Sequence, residues 1–244
     1  MKIIAHRNET PGCPENSVAS LEYSAQPGIY AVECDVRRTG DGQYVIYHDD
    51  TLERLTGDRR AVSAVTLEEM RGALADVDRA VITLDELTAA YRKRTPILLH
   101  VKEYHPWPDL IERFERAPVE FIFGVESLEM LEAVKRFTPK DHILAFMPAR
   151  TMYPDFIAGG AGIIRLWEDW LHEITPDMVH KAGADQVWIM CNTPERGMDG
   201  TPESLDRFLT IHVDGALVSD VAMGLAWLKR HSFGSKDPSE GPRA

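Results

Sequence analysis

Cysteine is scarce and odd in number: Cys13, Cys34 and Cys191 are the only three. Such a set excludes a disulfide framework and points to reduced thiols in a reducing compartment. No uninterrupted apolar run approaches the ~18 residues that a membrane-spanning helix needs. The opening Met1-Lys2-Ile3-Ile4-Ala5-His6-Arg7 is too short in apolar residues for the hydrophobic region of a signal peptide. An excess of basic charge is also missing. Lys and Arg total 27 against 39 Asp and Glu, a net charge of −12. A chain of that sign repels polyanions, which excludes nucleic acid as an expected partner. It does not exclude a small phosphate ligand, because a bound metal inverts the local field. The expectation is a cytoplasmic enzyme with no stable membrane anchor; the oligomeric state stays open.

What is present is a chain of 244 residues, 44% hydrophobic and 27% charged, able to bury a sizeable core. The length is near the ~250 residues of a (β/α)₈ barrel, although two small domains would also fit. Short apolar runs rich in Ile, Val and Phe recur at 2–6, 31–36, 97–102, 119–125, 142–147, 162–167, 186–191 and 215–219, as expected of buried parallel strands. Amphipathic stretches at 18–25, 67–74, 84–92, 108–116, 128–137, 177–182, 202–209 and 221–230 lie between or after them, and 152–158 is the weakest helical pattern. Thr66 with Glu69 three residues on reads as a capping box. Alternation of this kind over eight units predicts an α/β fold, a (β/α)₈ TIM barrel. Residues 1–233 are expected to form one barrel domain with a short insertion after the second barrel strand. There, 44–48 looks like an extra extended segment followed by a loop and two short helices. The polar tail 234–244 is expected to be disordered.

Polar residues gather where a barrel puts its chemistry, at the carboxyl ends of strands. The first strand ends in His6-Arg7, the second carries Glu33 and Asp35, the extra segment ends in His48-Asp49, and the third ends in His100-Val101-Lys102. Side chains alternate along a strand, so Glu33 and Asp35 share one face, as do His100 and Lys102. Two carboxylates converging at a barrel mouth repel unless a cation lies between them, and hard oxygen ligands suit Mg²⁺ or Ca²⁺. His6 and His48 each end a strand-like run beside a charged residue, and a pair of imidazoles supplies one general base and one general acid near neutral pH. His142, His172, His180, His212 and His231 show no such convergence.

Taken together, His6-Arg7, Pro14-Glu15-Asn16-Ser17, Glu33-Cys34-Asp35-Val36, the run at 39–56 containing His48-Asp49, and His100-Val101-Lys102 resemble the glycerophosphodiester phosphodiesterase family. The match is close over about the first hundred residues and weaker but collinear through Val187-Trp188, Val213-Asp214-Gly215 and Ser219-Asp220. The resemblance implies acid and base roles for His6 and His48, and a phosphate-binding role for Arg7. It implies metal ligation by Glu33 and Asp35, a phosphate-proximal Lys102, and a site border formed by Glu15 and Asn16. It implies one divalent metal ion and a small phosphodiester substrate, hydrolysed to an alcohol and a phosphomonoester. Water or a neighbouring substrate hydroxyl remains open as the nucleophile.

Four departures from the family pattern bear on this. His100 stands where a third carboxylate ligand is usual; an imidazole ligand would favour Mn²⁺ or Zn²⁺, and a water in that position is the alternative. Asn8 replaces a glycine. The insertion after His48 is shorter than the segment that caps the family's pocket. Glu126 replaces an apolar residue, as a holder of sugar hydroxyls or a cationic head group, or as an acid at a helix start. Trp188, ahead of Trp167 and Trp170, is the best candidate to stack on substrate, with core packing the favoured alternative for any one of them. Two other readings stay open: a lysophospholipid or sphingolipid phosphodiesterase, and a barrel that binds a phosphoester without turnover.

Overall fold

The computed structural model describes residues 1–7, 13–191 and 200–232. Asn8 and the expected tail lie outside these. Eight parallel strands close into a barrel: β1 (Lys2–Ala5), β2 (Ile29–Arg38), β4 (Ile97–Val101), β5 (Phe121–Val125), β6 (Ile143–Ala145), β7 (Ile163–Trp167), β8 (Gln186–Met190) and β9 (Gly215–Val218). Closure comes from β1, which pairs with both β2 and β9. Helices α1 (Val18–Ser24), α4 (Leu84–Ala90), α5 (Pro108–Arg116), α6 (Leu128–Val134), α7 (Tyr153–Gly159), α8 (Pro176–Lys181), α9 (Pro202–Thr210) and α10 (Val221–Ser232) alternate with the strands. The α/β barrel read from the sequence is therefore the fold.

The strands read as continuous apolar runs because both faces are buried. One face packs outward against the helices, as with Ile3, Val32, Leu99, Phe123 and Ile189. The other fills the barrel with Ile4, Ala31, Leu98, Ile122, Leu144, Ile163, Trp188 and Leu217. The weak helical pattern at 152–158 is α7, stopped by Gly160 in the left-handed region at φ 109°.

The break in alternation is richer than two short helices. After β2 the chain forms β3 (Tyr44–Ile46), α2 (Glu53–Thr56), a 3₁₀ turn at Val62–Ala64 and α3 (Leu67–Ala75), before α4 returns to the barrel. β2 runs to Arg38, two residues beyond the expected end, because β3 pairs antiparallel with its last three residues. β3's other side is bridged by Thr83, and its Ile46 N–H donates to the carbonyl of Ile82. The insertion has a core of its own, including Val45, Tyr47, Leu52, Met70 and Leu74. Reciprocal capping boxes start α3 at Thr66 with Glu69 and α4 at Thr83 with Glu86, each contributing about 1 kcal/mol.

Candidate active site

The barrel's interior turns from apolar to ionic at its carboxyl end. His6 follows β1 directly; Glu33 and Asp35 point inward from β2 and His100 from β4, all at most 8% exposed. One donor atom from each of Glu33, Asp35 and His100 lies within 4.8 Å of the others. Nδ1 of His100 is 3.1 Å from Asp35 Oδ1 and 4.0 Å from Glu33 Oε1. Lys102, one face-repeat beyond His100, sets its ammonium 3.3 Å from Asp35 Oδ1.

Backbone and turn geometry holds these groups. Arg7 sits at φ 55° and its amide donates to Glu33 Oε2 at 3.0 Å. Asn16 also has a positive φ, 58°, a conformation Asn tolerates better than most residues. Its amide nitrogen donates to Asp35 Oδ2 at 3.4 Å, while its amide oxygen accepts from the Asp35 N–H at 3.3 Å. Asn16 is thus bonded to a candidate ligand carboxylate. His48 is positioned from the insertion: the Tyr47 N–H donates to the Asp35 carbonyl, and Arg37 Nε donates to the His48 carbonyl at 2.9 Å. Nδ1 of His48 meets Asp49 Oδ1 at 2.7 Å and its Nε2 is 2.6 Å from Arg7 Nη2. Because guanidinium only donates, Nε2 accepts and Nδ1 carries the proton toward Asp49. Arg54, on α2, ties Asp49 Oδ2 at 2.5 Å to the carboxylate of Glu15.

The electrostatics follow from this crowding. Burial, reinforced by the charge of Asp35, pushes the Glu33 carboxyl well above its usual range. Burial pushes Asp35 the same way, but Lys102 and His100 outweigh it and hold that carboxyl well below normal. His6 is driven down to about 3, first by burial and then by the Arg7 charge. Asp49, though half-buried, is held at about 2 by its bonds from His48 and Arg54. A buried Glu–Asp pair that cannot comfortably carry two charges, faced by an imidazole nitrogen, is a donor set that a divalent cation fits.

One sequence expectation needs correction. Trp188 does not reach the mouth. It is fully buried, pairs in register with Gly215, which itself pairs with Lys2 at the amino end of β1. Its indole N–H donates to Gln186 Oε1, which also accepts from Lys2 Nζ, and Tyr30 packs edge-on at 5.8 Å. A Cβ on Gly215 would stand 2.8 Å from the indole, so glycine makes room for a ring that plugs the far end of the barrel. Glu126 meets a candidate ligand: its Oε1 is 2.8 Å from Nε2 of His100. The following helix is capped by Ser127. Glu15 and Asn16 are bonded to Arg54 and to Asp35 respectively.

Sequence reasoning passed over Arg165, which is 4% exposed inside the barrel, its guanidinium over the rings of Phe146, Trp167 and Trp170. The signal was available: a cation between Ile163 and Trp167 on the inward-facing period of a strand. It also passed over Phe146, which lies flat on His100 with centroids 3.8 Å apart and planes 11° from parallel.

The model of the Glycerophosphoryl diester phosphodiesterase family matches residues 6–135, more than half of the chain. A glycerophosphodiester phosphodiesterase of Caldanaerobacter subterraneus subsp. tengcongensis is 25% identical over 240 residues, covering 89% of this chain and 93% of the relative. Among solved structures, a glycerophosphodiester phosphodiesterase from Parabacteroides distasonis superposes with a TM-score of 0.71 at 19% identity, over 94% of this chain and 98% of the other. An Oleispira antarctica phosphodiesterase in complex with the product sn-glycerol-3-phosphate gives 0.67 at 20% identity, over 94% and 97%. At such identities the superpositions establish the shared barrel. With the family match running from His6 through Lys102 and the matched side chains meeting at one end of that barrel, the chain belongs to the glycerophosphoryl diester phosphodiesterase family of phosphoric diester hydrolases.

Proposed function

We propose that this protein hydrolyses a small glycerophosphodiester or sugar phosphodiester to an alcohol and a phosphomonoester, using one divalent metal ion and a His6/His48 proton-transfer pair. The observation that carries the reading is the convergence of Glu33, Asp35 and His100 within 4.8 Å, beside two histidines and the cations Arg7 and Lys102. Glu33, Asp35 and His100 would hold the metal. When bound, such an ion withdraws charge from a phosphoryl oxygen and stabilises the pentacoordinate transition state.

The chain's own groups divide the remaining work. Arg7 and Lys102 neutralise the diester, Arg7 with a planar fork that suits two phosphate oxygens. His6, neutral at pH 7 because its pKa is held near 3, is the base. Its Nδ1 is 3.3 Å from the Ser219 hydroxyl, which leaves Nε2 to take the proton of the attacking hydroxyl as its oxygen bonds to phosphorus. His48 is the acid. Asp49 orients the ring through Nδ1 at 2.7 Å, and Nε2 gives a proton to the leaving alkoxide as the second P–O bond breaks. The resting bond from Arg7 to His48 Nε2 must therefore exchange for one to the substrate phosphate.

The test is a panel of glycerophosphodiesters, sugar phosphodiesters and lysolipids, assayed with chelator and with Mg²⁺, Ca²⁺, Mn²⁺ or Zn²⁺ restored. Turnover of small diesters is expected, lost on metal removal and lowered about 10²–10⁴-fold in His6→Ala and in His48→Ala. Activity that survives thorough metal removal, or survives both substitutions, refutes the mechanism. Turnover confined to lysolipids moves the substrate to the lipid class, and binding without turnover makes the barrel a phosphoester-binding protein.

A further inference from the structure

An imidazole offers two nitrogens, and only the one without a proton can take a metal. In most loosely held histidines the choice is open. In His100 both nitrogens face carboxylates: Nε2 faces Glu126 Oε1 at 2.8 Å, and Nδ1 faces Asp35 Oδ1 at 3.1 Å and Glu33 Oε1 at 4.0 Å. We infer that Glu126 is a positioning residue that keeps the His100 proton on Nε2, so that Nδ1 is presented as the nitrogen of a two-carboxylate, one-imidazole site selective for Mn²⁺, Co²⁺ or Zn²⁺ over Mg²⁺ and Ca²⁺. The inference rests on the metal reading proposed above and adds to it the atom that binds and the residue that selects it.

Three further contacts support the arrangement. Phe146 lies flat on the imidazole, 3.8 Å between centroids, which fixes the ring plane. Gly124, the neighbour of His100 on β5, is what permits that stacking. A Cβ there would come within 2.5 Å of two Phe146 ring carbons. Tyr104, largely exposed, lies near enough to Glu126 to favour its ionised form, an effect smaller than that of His100. A half-turn of the imidazole about its Cβ–Cγ bond would put carbon against Asp35 and break the bond to Glu126. The ring therefore has one orientation that satisfies its neighbours.

A carboxylate behind a ligating histidine orients the ring and raises its basicity, and removing such a partner lowers metal affinity on the order of 10–100-fold. Replacing the expected third carboxylate by imidazole also removes one negative charge and adds a softer donor, which shifts preference from hard alkaline-earth ions toward transition metals. The two effects act together: without Glu126 the nitrogen donor loses its fixed tautomer, and with it the selectivity.

The experiment is calorimetric titration of the metal-stripped protein with MnCl₂, ZnCl₂ and CaCl₂, for the native chain, Glu126→Gln, Glu126→Leu and Glu33→Gln, with thermal unfolding recorded for each. The native protein is expected to bind Mn²⁺ and Zn²⁺ more tightly than Ca²⁺. Glu126→Leu should weaken Mn²⁺ and Zn²⁺ binding about 10–100-fold while changing Ca²⁺ binding less. Glu126→Gln, whose amide oxygen still accepts from Nε2, should recover part of that loss. In ¹⁵N spectra of the Zn²⁺-loaded protein, His100 should keep a proton on Nε2 and carry the metal on Nδ1. A proton on Nδ1, or native Mn²⁺ and Zn²⁺ affinity in Glu126→Leu while Glu33→Gln abolishes binding, overturns the role of Glu126 and leaves the metal site standing. Native affinity in both Glu126→Leu and Glu33→Gln overturns the metal site itself.

Discussion

Acidification should destabilise this protein through His6. The imidazole is 5% exposed, and burial followed by the Arg7 charge lowers its pKa from 6.5 to about 3. The folded chain therefore binds fewer protons at this residue than the unfolded chain does between those two values. The resulting stability is present above pH 6.5 and is lost as pH falls. Linkage puts the loss at ~2 kcal/mol between pH 7 and pH 5, approaching ~5 kcal/mol below pH 3. The first figure barely depends on the folded pKa, because at pH 5 the buried ring is neutral whether that value is 3 or 4. Urea unfolding of the metal-free protein and of His6→Gln at pH 7, 6 and 5 measures it. Glutamine is neutral throughout, near in size, and able to bond Ser219. Glu33, whose carboxyl is shifted upward, contributes in the opposite sense, but both proteins carry it. The native protein should lose ~2 kcal/mol more than the variant between pH 7 and 5, about 4–8 °C in the thermal midpoint for a chain of this size. Parallel pH profiles would refute a neutral, buried His6 and with it the assignment of His6 as base.

Two other outcomes follow from the site's surroundings. Trp188→Ala should cost about 3–5 kcal/mol and leave KM for any diester substrate unchanged; a raised KM with native stability would return the ring to the mouth. Arg54→Ala removes the link between Glu15 and Asp49 and should lower kcat, by up to about 10²-fold if His48 is displaced by an ångström. The thermal midpoint should fall as well, because the Glu15 and Asp49 side chains, 8% and 18% exposed, would lose the cation that pairs them. Native kcat would show that His48 needs no support from α2.

The barrel was legible because its signals are local. Ile3-Ile4-Ala5 and Ile97-Leu98-Leu99 are buried on both faces, so they carry no polar residue until the chain reaches the mouth. The period of two then placed Glu33 with Asp35 and His100 with Lys102 correctly. Depth was not legible. Neighbouring strands in a closed barrel are staggered, so Trp188, third in β8, shares a register with Lys2 at the start of β1 rather than with His6 after its end. Pairing partners were not legible either. Nothing in the residues around Glu126 says that its carboxylate meets an imidazole 26 positions earlier, and only the β4–β5 register makes them neighbours. The extent of the insertion was underread because α2 is a single turn, too short for helical periodicity to register.

The small strand β3 has a consequence of another kind. A closed barrel has no free margin, but a ninth strand laid outside it restores one, and an unpaired strand margin is a template for other chains. Here that margin is occupied: Thr83 bridges Val45, and Ile82 accepts from Ile46. The same 82–83 segment runs straight into the capping box of α4, so the cover is anchored to the barrel wall. Measured by colloidal behaviour the insertion is a guard, and trimming it past Ile82 would be felt first as self-association of the folded protein at high concentration.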